Sequence, residues 1–210
     1  MPKSVWDTIY KDYEKDGKAW ASLKDGIHPL FISFLKQSKF GRKSVFDLGC
    51  GNGKYLEFLQ KVGFEVSGID SSPTAIRMAQ KSLGKNVKLK IADMYLCEIP
   101  EGIDLIISIA AIQHHTKPAI AKLVSRVYKS LSLEGNFFIT FPRLSMASRW
   151  NTFKDAKQIA PGTFVPIHGP EKGLVHSFYE KEELAKLFSN FENVKIIKDD
   201  MGRWVVQGKK

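Results

Sequence analysis

The chain has 210 residues, 43% hydrophobic and 26% charged, a composition typical of a soluble globular protein with one sizeable domain. Its longest uncharged apolar run, residues 105–112, is far shorter than a membrane span, its N-terminus lacks a signal-peptide core, and two cysteines are too few for a disulfide framework. We therefore expect a cytoplasmic protein that contacts no membrane. The formal net charge of +10 is compatible with a polyanionic partner, but the lysines are spread out, as on an ordinary lysine-rich surface.

The first 40 residues predict helices. Between Val5 and Tyr13, aromatic and apolar side chains recur at helical spacing on one face. Pro29 opens a second helix that runs to about Gln37. Residues 1–40 therefore form a helical cap, which either docks as a structural element or acts as a lid over a ligand.

Strands and helices alternate over residues 43–141, which is the pattern of a parallel, doubly wound sheet. The predicted strands cover residues 43–48, 65–69, 87–92, 105–109 and 136–141. Two later strands, residues 194–198 and 204–207, are joined by so short a link that they form an antiparallel pair. The chain is therefore an α/β protein with a seven-stranded mixed sheet of five parallel strands plus an antiparallel C-terminal pair.

Residues 142–176 interrupt this alternation with four prolines and no steady period. Long irregular segments in compact domains are usually functional. This one is basic and aromatic, with Arg143, Arg149 and Trp150 among its side chains. We expect an irregular insert on the substrate side of a single domain, residues 1–210, in which Trp150 either anchors the loop or stacks on a substrate.

A glycine-rich turn follows the first predicted strand. The strand ends at Asp47, then Gly49, Gly51 and Gly53 alternate with other residues, and a helical pattern begins at once. Strand, tight turn and helix N-terminus together let a nucleotide-like ligand lie against bare backbone. Cys50 belongs to the same turn, as a small packed side chain.

The spacing of these glycines favours one ligand over another. A dinucleotide fingerprint reads G-x-G-x-x-G and faces a pyrophosphate, whereas this turn reads G-x-G-x-G with Asp47 just before it. A carboxylate there would repel a pyrophosphate and attract a cationic amino-acid end. S-adenosylmethionine has such an end and no phosphate, so the residues favour it over NAD.

The carboxyl ends of the other strands complete the predicted site, because ligands bind at that edge of such sheets. Asp70, followed by Ser71, suits the two hydroxyls of a ribose. Asp93 is placed to accept from the amine of an adenine, with Met94 packing on the ring. The fourth strand ends at Ile109 and leads to two neighbouring histidines.

The chain resembles the class I S-adenosylmethionine-dependent methyltransferases. The motifs that carry the resemblance are residues 46–53, Gly68-Ile69-Asp70, Ala92-Asp93 and the fourth-strand run into His114 and His115. The resemblance implies a Rossmann-like methyltransferase fold. It also implies that Asp47 and the glycines hold the methionine part, that Asp70 holds the ribose and Asp93 the adenine, and that Tyr10 or Trp20 closes over the donor.

A narrower similarity is to the methyltransferases that esterify carboxymethyl-uridine at the tRNA wobble position, in residues 49–56, 107–115, 176–179 and 202–206. A tRNA nucleoside is then the expected acceptor, and a small metabolite is the alternative. The residues expected to contact the acceptor are His114, His115, Arg143, Arg149 and Trp150. His115 and His176 are the candidates for taking a proton.

Two other interpretations stay open. A donor-binding or scaffold protein without catalysis would keep the fold, although the intact turn and Asp70 speak against it. An NAD-linked oxidoreductase is disfavoured by the glycine spacing. The histidines lack a cysteine or carboxylate at ligand spacing, so we expect no metal.

Overall fold

The structure, a computed structural model, describes residues 5–16 and 26–210. Trp20 lies outside the described residues. The helices are α1 (Val5–Asp16), α2 (Pro29–Gln37), α3 (Lys54–Lys61), α4 (Pro73–Leu83), α5 (Lys117–Ser130), α6 (Leu144–Ala147) and α7 (Lys181–Leu187). The strands are β1 (Ser44–Leu48), β2 (Glu65–Asp70), β3 (Lys88–Ile91), β4 (Ile103–Ser108), β5 (Leu131–Pro142), β6 (Lys157–Ala160), β7 (Thr163–Val165), β8 (His176–Ser177), β9 (Glu192–Lys198) and β10 (Arg203–Lys209).

Seven strands form the main sheet in the order β3-β2-β1-β4-β5-β10-β9. The pairs among β3, β2, β1, β4 and β5 are parallel, and β10 is antiparallel to both of its neighbours. The predicted doubly wound mixed sheet is confirmed. Because β10 alone is reversed, β9 runs in the same direction as the first five strands. The strand order changes direction between β1 and β4, where sheets of this kind bind ligands.

The sheet is buried on both faces. One core cluster packs α5 and α7 against the sheet around Ile106, Phe137 and Ile139. The other packs α2, α3 and α4 around Leu105, Ile107 and Phe138. Strand β4 is buried at every position, and its apolar run, residues 105–107, is what a central strand covered on both sides requires. These two layers fix the carboxyl ends of β1, β2 and β4 relative to one another.

Residues 142–176, predicted to be irregular, contain ordered structure instead. After α6 and a short 3-10 helix, Asn151–Phe153, strands β6, β7 and β8 form a separate antiparallel sheet. Its strands of two to four residues are too short to show a period in the sequence. A small core holds it together, with Phe153 and Phe178 rings 4.9 Å apart.

Helix α1 is attached to the start of α4 by a side chain. Asp7 Oδ1 accepts hydrogen bonds from Ser72 Oγ at 3.0 Å and from the Thr74 backbone N–H at 2.9 Å. Glu14 pairs with Arg77 near the other end of α1. Exposed N–H groups at a helix start need such acceptors, so α4 both holds α1 and is capped by it. Within residues 5–16 and 26–210, no helix has the length and apolar character needed to cross a bilayer.

Candidate active site

A cavity of about 1050 Å³ lies at the carboxyl edge of the main sheet, beneath α1. It is lined by the ends of β1, β2 and β4 and also by residues 172–174, 200, 201 and 203. Most of the donor-site residues predicted from the sequence line it: Tyr10, Asp47, Gly49, Cys50, Gly51, Asp70, Ser71, Asp93, Met94 and Ile109. His114 and His115 line it as well.

The glycine turn brings bare backbone to the cavity wall. Gly49 and Gly51 have φ of 84° and 55°, which strains any residue with a side chain. A Cβ at Gly49 would lie 2.5 Å from the Ala111 Cβ, and one at Gly51 would clash with the Tyr10 hydroxyl. The absent side chains therefore let the β4 end and α1 approach the turn closely. Gly53 is different, because it starts α3 and packs toward Ala79 without lining the cavity.

Asp70 connects the turn to the start of α4. Its Oδ2 accepts from the Gly51 N–H at 2.9 Å, and its Oδ1 accepts from the Ser72 N–H at 2.8 Å. Burial raises the pKa of this carboxyl, although these hydrogen bonds oppose the rise. Each oxygen keeps a second lone pair, so the carboxylate can still accept from two hydroxyl groups.

Two buried carboxyl groups, those of Asp47 and Asp70, lie in one wall of the cavity and favour a positively charged ligand. Asp47 is only 4% exposed, and burial together with the nearby Asp70 charge raises its pKa well above the ordinary value. Like charges in a dry wall are relieved by a cation and worsened by a phosphate. S-adenosylmethionine carries an ammonium and a sulfonium, so its charge fits this wall.

Asp93 and Met94 follow β3 at the end of the cavity beyond Asp70. The Asp93 Oδ1 accepts from the Tyr95 N–H at 2.9 Å, so this residue also holds a turn. The methyl group of Met94 lies 2.9 Å from where a Gly49 Cβ would be, which places it over the glycine turn. The pair can therefore offer a ligand one carboxylate oxygen and one apolar contact.

The two histidines after β4 face the cavity with different partners. His114 packs its ring on Trp6 at 4.5 Å and has its Nε2 3.3 Å from the Ala110 carbonyl oxygen. Burial lowers the pKa of His114 to about 4, so the ring is neutral. His115 Nδ1 accepts from the Thr116 N–H at 2.8 Å, and its ring lies 4.5 Å from that of Tyr95.

Four of the predicted substrate-side residues do not line the cavity. His176 is 3% exposed and lies behind His114, with ring centroids 4.5 Å apart. Arg143 stacks over Trp204, Arg149 is exposed, and Trp150 packs on Phe178 within the small core. Of the two roles left open for Trp150, its position is that of a loop anchor.

The cavity also contains residues that the sequence did not single out. Arg203 donates from Nε to Asp199 Oδ2 at 2.8 Å, and the same oxygen lies 3.1 Å from His28 Nε2. His28, Asp199 and Asp200 could together offer three metal-ligand atoms. Because the Arg203 guanidinium already pairs with Asp199, these three residues are better suited to holding Arg203 in place than to binding a metal ion. Only the three-dimensional fold brings residues 28 and 199 together.

The comparisons with known proteins agree with this geometry. Residues 45–135 match the methyltransferase domain family. The chain is 29% identical over 174 residues to human EEF1A lysine methyltransferase 2, covering 73% of each protein. It is 32% identical over 99 residues to the ubiquinone biosynthesis O-methyltransferase of Thiobacillus denitrificans, covering 44% of this chain and 43% of that protein.

Solved structures share the fold. The PH0226 protein of Pyrococcus horikoshii superimposes with a TM-score of 0.68 at 24% identity, covering 86% of each chain. The narrower similarity to the wobble-uridine enzymes gains no support from these relatives. Sheet topology, glycine turn, acidic strand ends and matched domain agree with one another. The chain is an S-adenosylmethionine-dependent methyltransferase with a class I, Rossmann-like fold.

Proposed function

We propose that the donor lies across the carboxyl ends of β1, β2 and β3. Asp47 attracts its ammonium group, Asp70 accepts from its ribose hydroxyls, and Asp93 accepts from its adenine amine. Tyr10 of α1 covers the glycine turn. The support for these roles is that the three carboxylates line one cavity at the ends of three neighbouring strands, β1, β2 and β3, in the order in which those groups occur along the donor.

The acceptor then approaches from the side of His114, His115 and residues 172–174. A sulfonium makes the methyl group electrophilic, so no protein nucleophile is needed. The walls must hold the acceptor atom within roughly 3–3.5 Å of the methyl carbon and in line with the sulfur. Rings from three elements, those of Trp6, Tyr95 and His115, border this end and restrict how an acceptor can lie.

We propose the amine of a protein lysine as the acceptor. The observation that carries this choice is the character of the cavity wall, which includes the carboxylate of Asp200 and the rings of Trp6 and Tyr95. Carboxylates and aromatic faces attract an alkylammonium group. The human lysine methyltransferase, similar over 73% of its length, has a substrate of this kind by its name.

A tRNA nucleoside is the second candidate. It is favoured by the net charge of +10 and by the exposed side chains of Arg149, Lys154 and Lys157, which lie outside the cavity. A small hydroxylated metabolite is the remaining alternative, by analogy with the ubiquinone O-methyltransferases.

Transfer from a radiolabelled donor separates these candidates. The protein is incubated with methyl-labelled S-adenosylmethionine and with protein, tRNA and small-molecule fractions of a cell extract. We expect stable label on lysine in the protein fraction, and none with the Asp70→Ala variant. Label in tRNA, lost at high salt, would favour the second candidate. Label in no fraction would favour a binding protein without catalysis.

A further inference from the structure

A carboxyl group is buried just behind the acceptor end of the cavity. Glu171 precedes the three residues, 172–174, that form part of the cavity wall, yet it is only 3% exposed. Its Oε2 lies 3.4 Å from His176 Nε2, and its Oε1 has no hydrogen-bond partner among the described residues. Burying a carboxyl group without hydrogen bonds is costly, so this placement is not explained by stability.

The same cluster reaches the cavity. The His176 ring packs at 4.5 Å against His114, which lines the cavity wall. His176 Nε2 and His114 Nδ1 are also buried and lack hydrogen-bond partners within the described part of the chain. Three buried polar atoms without hydrogen-bond partners, one each on His114, His176 and Glu171, therefore occur in one contiguous group behind the cavity wall. Asp199, in contrast, accepts from the Arg203 backbone, the Arg203 guanidinium and His28, as an ordinary buried carboxylate does.

The charge states of the cluster show where a proton is held. Burial raises the pKa of Glu171 to about 7 and lowers the pKa values of His114 to about 4 and of His176 to about 2. Within residues 5–16 and 26–210, the titratable group that faces Glu171 is His176, from β8, with His114, from the loop after β4, behind it. Near neutral pH, the carboxyl group therefore gains and loses a proton while both imidazoles stay neutral.

We propose that Glu171 is a positioning residue that receives the acceptor's proton through His114 and His176. This role requires an acceptor that carries a proton on the atom to which the methyl group is transferred. Amines and hydroxyl groups meet this condition and a carboxylate does not, so the inference excludes a carboxylate acceptor; it rests on the proposed function. An N–H or O–H bond of the acceptor breaks, and its electron pair bonds the methyl carbon. The sulfur–methyl bond breaks with its pair left on sulfur, and the proton reaches the Glu171 carboxylate before returning to solvent.

Two donor analogues test this without a known acceptor. Sinefungin replaces the methylated sulfur with a carbon that bears an ammonium group, and S-adenosylhomocysteine has no group there. Calorimetry at pH 7 in buffers of different ionisation enthalpy measures the protons released on binding. An ammonium at the acceptor position favours ionised Glu171. We therefore expect sinefungin to release up to about half a proton more than S-adenosylhomocysteine, the fraction that is protonated when pH equals pKa.

Variants of Glu171 test whether this side chain is the group that releases the extra proton. Glu171→Gln should abolish the excess release while leaving the affinity for S-adenosylhomocysteine unchanged, and Glu171→Asp should retain part of the release. Glu182→Gln, at an exposed acid on α7, is the matched control and should behave as wild type. Equal release from wild type and Glu171→Gln would overturn the role of Glu171 alone. If neither analogue bound, the donor assignment would fall and this inference with it.

Discussion

The carboxylate of Asp70 both holds the local backbone in place and faces the proposed ligand. It holds the glycine turn through Gly51 and the start of α4 through Ser72, and the same oxygens are offered to the cavity. Its burial and its partners explain why a carboxylate is required here and why an amide would not replace it.

We predict that Asp70→Asn weakens S-adenosylhomocysteine binding by about 10–100-fold. The amide nitrogen cannot accept, so one of the two ribose or backbone donors is left unpaired, at about 1.5–3 kcal/mol for hydrogen bonds to a charged group. Titration calorimetry measures the change. Asp12→Asn, an exposed acid on α1, is the control. Wild-type affinity in Asp70→Asn would refute the ribose assignment.

Gly51 allows a second residue-scale prediction. Gly51→Ala should destabilise the fold by about 1–2 kcal/mol through left-handed backbone strain and should also displace Tyr10. Gly63→Ala has the same strain, with φ of 88°, and nothing within 4 Å of the new Cβ. Donor affinity should therefore fall in Gly51→Ala and not in Gly63→Ala. Equal donor affinities in the two variants would contradict the contact between Tyr10 and the turn.

Whether a site residue could be predicted from the sequence depends on how far apart along the chain the residues it contacts lie. Asp47, Asp70 and the glycines were found from the sequence because strand, turn and helix follow one another within a short stretch. Glu171 and Arg203 were not, because what they contact is set by tertiary structure; the pairing of His28 with Asp199 spans 171 residues. His176 was placed at the reacting centre because residue type alone does not show which histidine faces the cavity.

Among the elements, α1 is attached to α4 by the buried carboxylate of Asp7 and by the exposed pair of Glu14 with Arg77. Burial alone would raise the pKa of Asp7, but hydrogen bonds from Lys11, Thr74 and Ser72 lower it below the ordinary value of 3.8. A lowered pKa means that the contribution to stability is present above pH 3.8 and is lost as the pH falls further.

We predict that Asp7→Ala costs about 1 kcal/mol, as for the loss of a helix cap, and frees α1 locally. Hydrogen exchange at pH 7 should show faster exchange in residues 5–16 and little change in the main sheet. Asp12→Ala on the same helix is the control, since Asp12 is exposed. Unchanged protection of α1 in Asp7→Ala would show that other contacts hold this helix.

Elements of regular length were predictable and the short ones were not. The seven strands of the main sheet showed β-branched runs or strand–helix alternation. The strands β6 to β8 are held by packing on Phe153 and Phe178, which periodicity cannot reveal. Between β7 and β8, residues 172–174 line the cavity, whereas Arg143, Arg149 and Trp150 of the same predicted insert do not.

For the molecule as a whole, the buried Glu171 should make stability depend on pH. Its folded pKa of about 7 lies above the ordinary 4.5, so stability falls as the pH rises from 4.5 to 7. We predict that Glu171→Gln raises the free energy of unfolding at pH 8, by about 3 kcal/mol at most, with little effect at pH 4. Denaturant titrations at both pH values measure this, and an equal effect at both would contradict the buried, ionisable state.

The central claim is that the cavity beside residues 47–53 is built for a cationic, phosphate-free donor. Equilibrium binding of S-adenosylhomocysteine and of NADH to the same preparation tests it most directly. We predict saturable binding of S-adenosylhomocysteine, one per chain, and no competition from NADH. Binding of NADH in that cavity, with S-adenosylhomocysteine excluded, would contradict the account.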